Sequence, residues 1–103
     1  MRPIEFNEVD FSLASLGGAD LRKVDLTDCR FRETNLVQAD LREALLARVD
    51  LSGARTSGTR FEGADLRGAL ADPQLWTTAK LAGARVEFDQ AVAFARANGL
   101  IVE

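Results

Sequence analysis

Large apolar side chains recur at every fifth position along almost the whole chain. Seventeen units of five residues run from residue 4 to residue 88, and thirteen of their central positions hold Leu or Phe. The position two before the centre holds Ala, Val, Cys or Thr in fifteen of the seventeen units. A helix repeats every 3.6 residues and a strand every two, so neither explains the pattern. The period predicts short elements that bury their apolar side only by stacking into a solenoid.

Within each unit, the centre and the small residue before it are predicted to point inward, and the other three residues face solvent. The central positions should therefore stack into apolar ladders that form the core. The predicted core ladder includes Phe6, Phe11, Phe31, Leu36, Leu41, Leu46, Phe61 and Trp76. Thr56 is the one polar centre, so its hydroxyl is expected to need a backbone partner. Glycine often ends a unit, which suits a tight corner with positive φ.

Four segments resemble the pentapeptide-repeat family: ADLRK at 19–23, ADLRE at 39–43, VDLSG at 49–53 and ADLRG at 64–68. The resemblance implies an all-β fold, a right-handed quadrilateral parallel β-helix with four units in each coil. Twenty residues would then make one coil, and residues 1–88 would form about four coils. Nothing before Ile4 resembles a cap for the first coil, so the repeat is expected to start in its middle.

The five-residue period breaks twice near the C-terminus. Asp72-Pro73 is typical of a helix start, which predicts a short helical bulge with Trp76 covering the core. Asp89 is predicted to cap a helix that ends at Gly99, so residues 89–103 form a capping and dimerisation helix with a tail. Val92 and Phe94 cannot share one helix face, which favours a second apolar contact. The predicted homodimer interface consists of Val92, Phe94, Ala95 and Leu100, and a monomeric cap is the alternative.

A closer resemblance lies in the run from Val9 to Leu41, in DLSGARTSG at 50–58, in ADLRGALADPQLWTTAKLAGARV at 64–86 and in DQAVAFARANGL at 89–100. These segments are similar to the C-terminal half of the mycobacterial fluoroquinolone-resistance members of the pentapeptide-repeat family. The chain would then be a truncated form, a shorter relative or a redesigned one. The resemblance implies a rod-like homodimer that mimics DNA, binds and inhibits DNA gyrase, and so gives quinolone resistance. It implies no direct binding of nucleic acid by the chain.

The charges divide unevenly among the four predicted faces, with nets of −3, −2, +1 and +1. A DNA mimic needs carboxylates in rows, as phosphates are. The predicted gyrase-facing acidic surface consists of Glu5, Glu8, Asp10, Asp25, Asp28, Asp50 and Asp65. The alternative is that Asp at the second position of the repeat serves solubility and the turns, which leaves a structural scaffold without gyrase activity. On the fourth face, Lys23 over Glu43 and Arg42 over Glu62 predict exposed ion pairs.

The composition argues against an enzyme. The 103 residues include no His and no Tyr, and the single cysteine, Cys29, falls at an inward position where it should serve packing. A Ser-His or Cys-His nucleophile and a zinc site are therefore not expected, and no cofactor is predicted. The chain has no signal-like start and no apolar run long enough for a membrane span, which predicts a cytoplasmic protein with no membrane association.

Overall fold

The fold is a stack of square coils in which residues twenty positions apart lie side by side on neighbouring coils. In the computed structural model, which describes residues 4–103, isolated parallel β-bridges join residue i to residue i+20, from Glu5–Asp25 to Asp65–Arg85. This register gives four units to a coil, as predicted, with coil 1 at 4–23, coil 2 at 24–43, coil 3 at 44–63 and coil 4 at 64–83. In the described residues each side contributes single bridges rather than an extended strand.

Corners between the sides are tight turns that the backbone closes with a hydrogen bond. In coil 1, for example, the Ala14 N–H donates to the Phe11 carbonyl at 3.0 Å, and Leu13 between them has a φ of 67°. Positive φ at the third turn position only is the signature of a type II turn. Glycine was expected at these corners, and Gly18, Gly53, Gly58, Gly63, Gly68 and Gly83 hold them with positive φ. Eight other corners carry side chains in the same strained region, which the sequence did not predict: Glu8, Leu13, Lys23, Asp28, Glu33, Gln38, Glu43 and Arg48.

The core is a set of apolar columns that is well covered from coil 2 onward. Of the predicted ladder, Phe31, Leu36, Leu41, Leu46, Phe61 and Trp76 are buried. Phe6 is 36% exposed and Phe11 is half-buried, because no described coil lies over the first one. The Phe11 ring stacks on Phe31 with centroids 5.2 Å apart, and Phe6 meets Phe11 edge-on at 5.7 Å. The N-terminal end of the ladder is thus a partly solvated aromatic cluster.

Polar side chains at inward positions join one coil to the next. The Thr34 hydroxyl donates to the Phe11 carbonyl at 2.9 Å, and the Thr59 hydroxyl donates to the Leu36 carbonyl at 2.6 Å. The Cys29 thiol donates to the Phe6 carbonyl in the same manner, and its burial raises the pKa of the thiol. Thr56 is also buried, but the expected backbone partner was wrong: its hydroxyl lies 3.2 Å from that of Thr78.

The first break in the repeat forms a short helix, α1, at Leu75–Thr78. Its N-cap residue is Gln74 and not the predicted Asp72, whose carboxylate instead accepts a hydrogen bond from the Gly53 N–H at 2.7 Å. Trp76 fills the core position predicted for it, and Leu75 beside it is buried as well. Helix α1 thus replaces one unit of the repeat and still delivers a large apolar side chain inward.

The second helix, α2, spans Phe88–Ala97 and lies over the last coil. Its N-cap is Glu87, so the predicted cap at Asp89 is wrong, and Asp89 lies in the first turn, where a carboxylate is favourable. The Glu87 N–H donates to the Gln90 side-chain oxygen at 2.8 Å. Gly99, with a φ of 87°, ends the helix as predicted, since the Leu100 N–H returns to the Ala95 carbonyl at 2.9 Å.

Candidate functional site

The Asp and Asn side chains at the second position of the repeat share one structural task. In each case a side-chain oxygen accepts a hydrogen bond from the backbone N–H two residues later, at 2.9–3.2 Å. This side-chain-to-backbone bond fixes the start of the turn. The residues are Asp10, Asp20, Asp25, Asn35, Asp40, Asp50 and Asp65. Four members of the predicted acidic surface, Asp10, Asp25, Asp50 and Asp65, are therefore part of the turn structure.

Arginines neutralise three members of the predicted acidic surface. Asp28 receives Arg48 from the next coil at 2.8 Å, and Asp65 receives Arg67 at 2.8 Å. The hydrogen bonds from these guanidinium groups hold the pKa of Asp28 and of Asp65 below the usual value. Asp50 lies 3.7 Å from Arg32. These three carboxylates are a weaker source of negative field than the sequence alone suggests.

The remaining predicted carboxylates lie in the first coil and at the start of the second. Among residues 4–103, no Lys or Arg lies within 4.0 Å of Glu5, Glu8, Asp10 or Asp25. Glu5 and Asp25 are bridge partners on neighbouring coils, and Glu8 and Asp10 line one shallow depression together with Asp28 and Arg30. We call Glu5, Glu8, Asp10 and Asp25 the acidic end. The structure thus reduces the predicted acidic surface to this group.

The fourth face, which has a net charge of +1, carries a dense set of ion pairs. Lys23 and Glu43 pair at 3.6 Å across neighbouring coils, as expected. The expected pair of Arg42 with Glu62 does not form, because Arg42 binds Asp40 at 2.7 Å. The other pairs among the described residues of this face are Asp20 with Arg22 at 2.9 Å, Asp40 with Arg22 at 3.8 Å and Glu62 with Arg60 at 2.7 Å. Hydrogen bonds from Arg22 lower the pKa of Asp20 from 3.8 to about 2.

A buried glutamine that the sequence did not single out fastens α2 to the stack. The Gln90 side chain is 6% exposed, and its amide donates to the Leu66 carbonyl at 2.6 Å and the Ala69 carbonyl at 3.2 Å. It therefore joins α2 to backbone carbonyl groups of the last coil, over which no further described coil lies. The polar pair Glu87 and Gln90, three residues apart at a helix start, was the available signal. Because the helix cap was assigned to Asp89, the role of Gln90 was not predicted.

The predicted dimer interface residues differ in how far they are exposed. Val92 and Ala95 are half-buried, Phe94 is 41% exposed, and Leu100 is 62% exposed. The Phe94 ring meets Trp76 edge-on with centroids 6.4 Å apart. Beside it, an apolar groove of about 570 Å³ lies between α2 and the last coil, lined in part by Leu81 and Val86. Phe88 and Ile101, which the sequence did not single out, are 85% and 86% exposed at the same end.

The described residues contain neither a metal-binding cluster nor an accessible cysteine. Within residues 4–103 no group of three or more acidic or cysteine side chains could hold a metal ion. Cys29 is buried at 1% exposure, so it is not presented to a substrate. No helix in that range is long and apolar enough to cross a membrane. The surfaces that remain as candidates are the acidic end and the apolar C-terminal end.

The chain belongs to the pentapeptide-repeat family, whose model matches residues 10–46 and 44–69. Members of this family form right-handed β-helix solenoids and are in general non-enzymatic scaffolds. A pentapeptide repeat protein from Nostoc is 32% identical over 84% of this chain and 80% of its own length, with a TM-score of 0.67. No curated protein matches the chain.

The fold is also similar to that of QnrB1, a plasmid-mediated fluoroquinolone resistance protein. A trypsin-treated variant of QnrB1 superposes with a TM-score of 0.75 at 18% identity, over 93% of this chain. The chain spans about half, 47%, of the length of that protein. The likeness establishes a shared fold.

Proposed function

We propose that this chain is a DNA mimic that binds DNA gyrase, inhibits it and so gives quinolone resistance. The observation that carries the proposal is the acidic end, where Glu5, Glu8, Asp10 and Asp25 stand without a cation within 4.0 Å among residues 4–103. Carboxylates held in a fixed array without a close cationic partner present the kind of field that attracts a DNA-binding groove. The resemblance of the sequence to gyrase-binding members of the family supports the same partner.

The rod is proposed to act in the cytoplasm as a homodimer through its C-terminal end, with Val92, Phe94, Ala95 and Leu100 in the interface. The exposed apolar side chains of that end support the proposal, since such a patch on a small protein is a common mark of a protein contact. Joining two stacks there would place one acidic end at each tip of a longer rod. The mimic would then offer gyrase the length that one stack lacks.

A structural scaffold without gyrase activity is the second candidate. The Asx turns favour it, because every Asp and Asn at the second position of the repeat bonds its own turn. These residues would be present whether or not a partner exists. The test must therefore change charge without disturbing a turn.

The double variant Glu5→Lys, Glu8→Lys meets that requirement. Neither glutamate bonds a turn N–H, and the repeat already accepts lysine at both positions, as Lys80 and Lys23 show. The control is Glu43→Lys, Glu62→Lys, which makes the same charge change on the ion-paired face. The assay is DNA supercoiling by gyrase with increasing amounts of each protein.

We expect the unchanged chain and the control to inhibit supercoiling, and Glu5→Lys, Glu8→Lys to lose at least tenfold in potency. Loss of about 1.4 kcal/mol of binding corresponds to that factor. Equal inhibition by both variants would remove the acidic end from the mechanism, and no inhibition by any of them would favour the scaffold. A gel-shift assay should give no complex of the chain with DNA itself.

The dimer has a separate test in which two leucines of equal exposure are compared. Leu100 is 62% exposed in the proposed interface, and Leu70 is 61% exposed on the side of the stack. Light scattering of Leu100→Glu should give the mass of one chain, while Leu70→Glu keeps that of two. A single-chain mass for the unchanged protein would exclude the dimer.

A further inference from the structure

Asn98 joins the end of α2 to the repeat through its side-chain amide. The Nδ2 group donates to the Phe94 carbonyl at 2.9 Å and to the Trp76 carbonyl at 3.3 Å. Within residues 4–103, the side-chain hydrogen bonds that run from α2 and its C-cap to the repeat come from Gln90 and Asn98. Asn98 is exposed, so water reaches the group. It is a solvent-accessible latch on the helix that covers the last coil.

Gly99 follows this asparagine, and its backbone nitrogen is also engaged. Its N–H donates to the Arg96 carbonyl at 3.1 Å, with the residue at a φ of 87°. The chain has three asparagines, and the other two precede the larger residues Glu8 and Leu36. A glycine nitrogen has no neighbouring side chain to hinder its approach to the asparagine Cγ. Asn98–Gly99 is therefore the site in this sequence where the chain can attack its own side chain most readily.

We propose that Asn98–Gly99 is a deamidation site that reacts when α2 leaves the stack and that then prevents the helix from docking again. In the docked state, Nδ2 and the Gly99 N–H are each held by carbonyl partners, which opposes reaction. Undocking of α2 breaks the bond to Trp76 directly. It also frees the bonds to the Phe94 and Arg96 carbonyls, because a helix of 10 residues without tertiary contacts is marginally stable in water and its last turn unwinds. The chemistry is thereby coupled to a local opening of the fold.

The reaction needs only water as a co-reactant. The Gly99 nitrogen loses its proton to solvent and attacks Cγ of Asn98, which forms a C–N bond and closes a succinimide ring. The bond from Cγ to Nδ2 breaks, and Nδ2 leaves as ammonia after it takes up a proton. Water then opens the ring at either carbonyl carbon and gives aspartate or isoaspartate at position 98. No oxidation or reduction occurs.

The product cannot rebuild the latch. A carboxylate at position 98 has no proton to donate, so it would face the Trp76 and Phe94 carbonyls as one acceptor against two. It would also add negative charge at the helix C-terminus, where the helix dipole is already negative. Isoaspartate adds a methylene to the backbone and moves Gly99 out of its cap. Deamidation therefore uncovers the apolar end of the stack irreversibly.

The rate of deamidation should report the opening of α2. We would age the full chain at neutral pH, cleave after Arg96 with trypsin, and quantify the 97–103 peptide by mass spectrometry. Gln90→Ala removes the other fastening of α2, so the reaction at position 98 should become about tenfold faster, which corresponds to about 1.4 kcal/mol of lost docking. Gln38→Ala, on an exposed corner far from α2, should leave the rate unchanged. Equal rates for Gln90→Ala and the unchanged chain would overturn the coupling.

Hydrogen exchange of the α2 amides tests the consequence. Asn98→Asp should speed exchange about tenfold, and Asn98→Ala should do so less, because alanine removes the donor without adding repulsion. Exchange in Asn98→Asp as slow as in the unchanged chain would show that the product still docks and would refute the latch. Since neither experiment contains gyrase, both outcomes are independent of the proposed function.

Discussion

The two halves of the stack place different kinds of residue at the positive-φ corners between their sides. In coils 1 and 2 and the first turn of coil 3, side chains occupy the positive-φ corners, except at Gly18. From Gly53 onward, every positive-φ corner of the stack is glycine. The halves also differ in cover, since Phe6 is 36% exposed at one end, whereas Phe61 is fully buried and α2 lies over the last coil.

This difference shows that stacking can impose a turn which the local sequence does not favour. The Lys23 N–H donates to the Arg42 carbonyl at 3.0 Å, and the Glu43 N–H donates to Glu62 at 3.0 Å. These hydrogen bonds to the next coil hold residues that would avoid positive φ on their own. In the second half, glycine removes that strain and also leaves room for side chains above it, as with Arg48 over Gly68.

The largest expected contrast is between the core aromatics of the two regions. Phe61→Ala should lower the unfolding free energy by about 3–5 kcal/mol, because it opens a cavity in a fully covered column. Phe6→Ala should cost about 1–2 kcal/mol, since its side chain is partly solvated already. Urea unfolding of both variants measures the difference. Equal losses would mean that the first coil is as well covered as the third.

Glycine corners in the second half should resist a side chain for conformational reasons alone. At Gly83, φ is 73° and the nearest atom to an added Cβ is 3.7 Å away, so Gly83→Ala tests strain without a clash. The expected loss is about 1–2 kcal/mol. Gly17→Ala is the control, because Gly17 meets ordinary contacts at 3.4 Å without positive φ. Its stability should stay the same or rise by less than about 1 kcal/mol. A loss at Gly17 as large as that at Gly83 would contradict the strain argument.

The reverse exchange should stabilise the first half. Leu13 has a φ of 67° and is 74% exposed, so Leu13→Gly relieves strain and gives up little packing. We expect a gain of up to about 1 kcal/mol, which is the strain relieved less the added freedom of the unfolded chain. Leu70→Gly, at an exposed position without positive φ, should lose about 0.5–1 kcal/mol. Thermal unfolding of both variants tests whether Leu13→Gly raises the stability while Leu70→Gly lowers it. A loss of stability in both variants would show that Leu13 is not strained.

The smallest expected effect is on how the unfolding free energy depends on pH, through the carboxylates of the turns. Hydrogen bonds from Arg22 depress the pKa of Asp20 in the folded chain from 3.8 to about 2. A depressed pKa contributes stability that is present above the unfolded value and is lost as pH falls through the folded value. Asp20→Asn should keep the turn, as Asn35 does, and should weaken the fall in stability between about pH 4 and pH 2. Urea unfolding of both proteins at several pH values across that range measures this fall. If the unfolding free energy of Asp20→Asn falls with pH as steeply as that of the unchanged chain, Asp20 does not contribute to the acid response.

Much of the fold could be predicted because the repeat is strict. The buried centres from Phe31 to Trp76 and the end of α2 at Gly99 follow from spacing and residue type, and the twenty-residue coil follows from the resemblance to the family. The candidate site was less predictable. Arg42 pairs with Asp40 instead of Glu62, and Arg48 pairs with Asp28 on the neighbouring coil. Long side chains have several partners within reach, so spacing alone does not select one. Sequence spacing gives the face on which a charge lies but not its partner.

The sequence by itself determined the stack, since a five-residue apolar period cannot be buried in any other way that keeps its register. Only the tertiary structure decided which carboxylates have no cationic partner among residues 4–103 and what closes the C-terminal end. The physical reason is that both depend on groups far apart in the chain. The Gln90 amide meets carbonyls at Leu66 and Ala69, and Glu5 lies beside Asp25 only once a full coil has closed. Contacts across one turn of the solenoid are invisible within a single unit of its repeat.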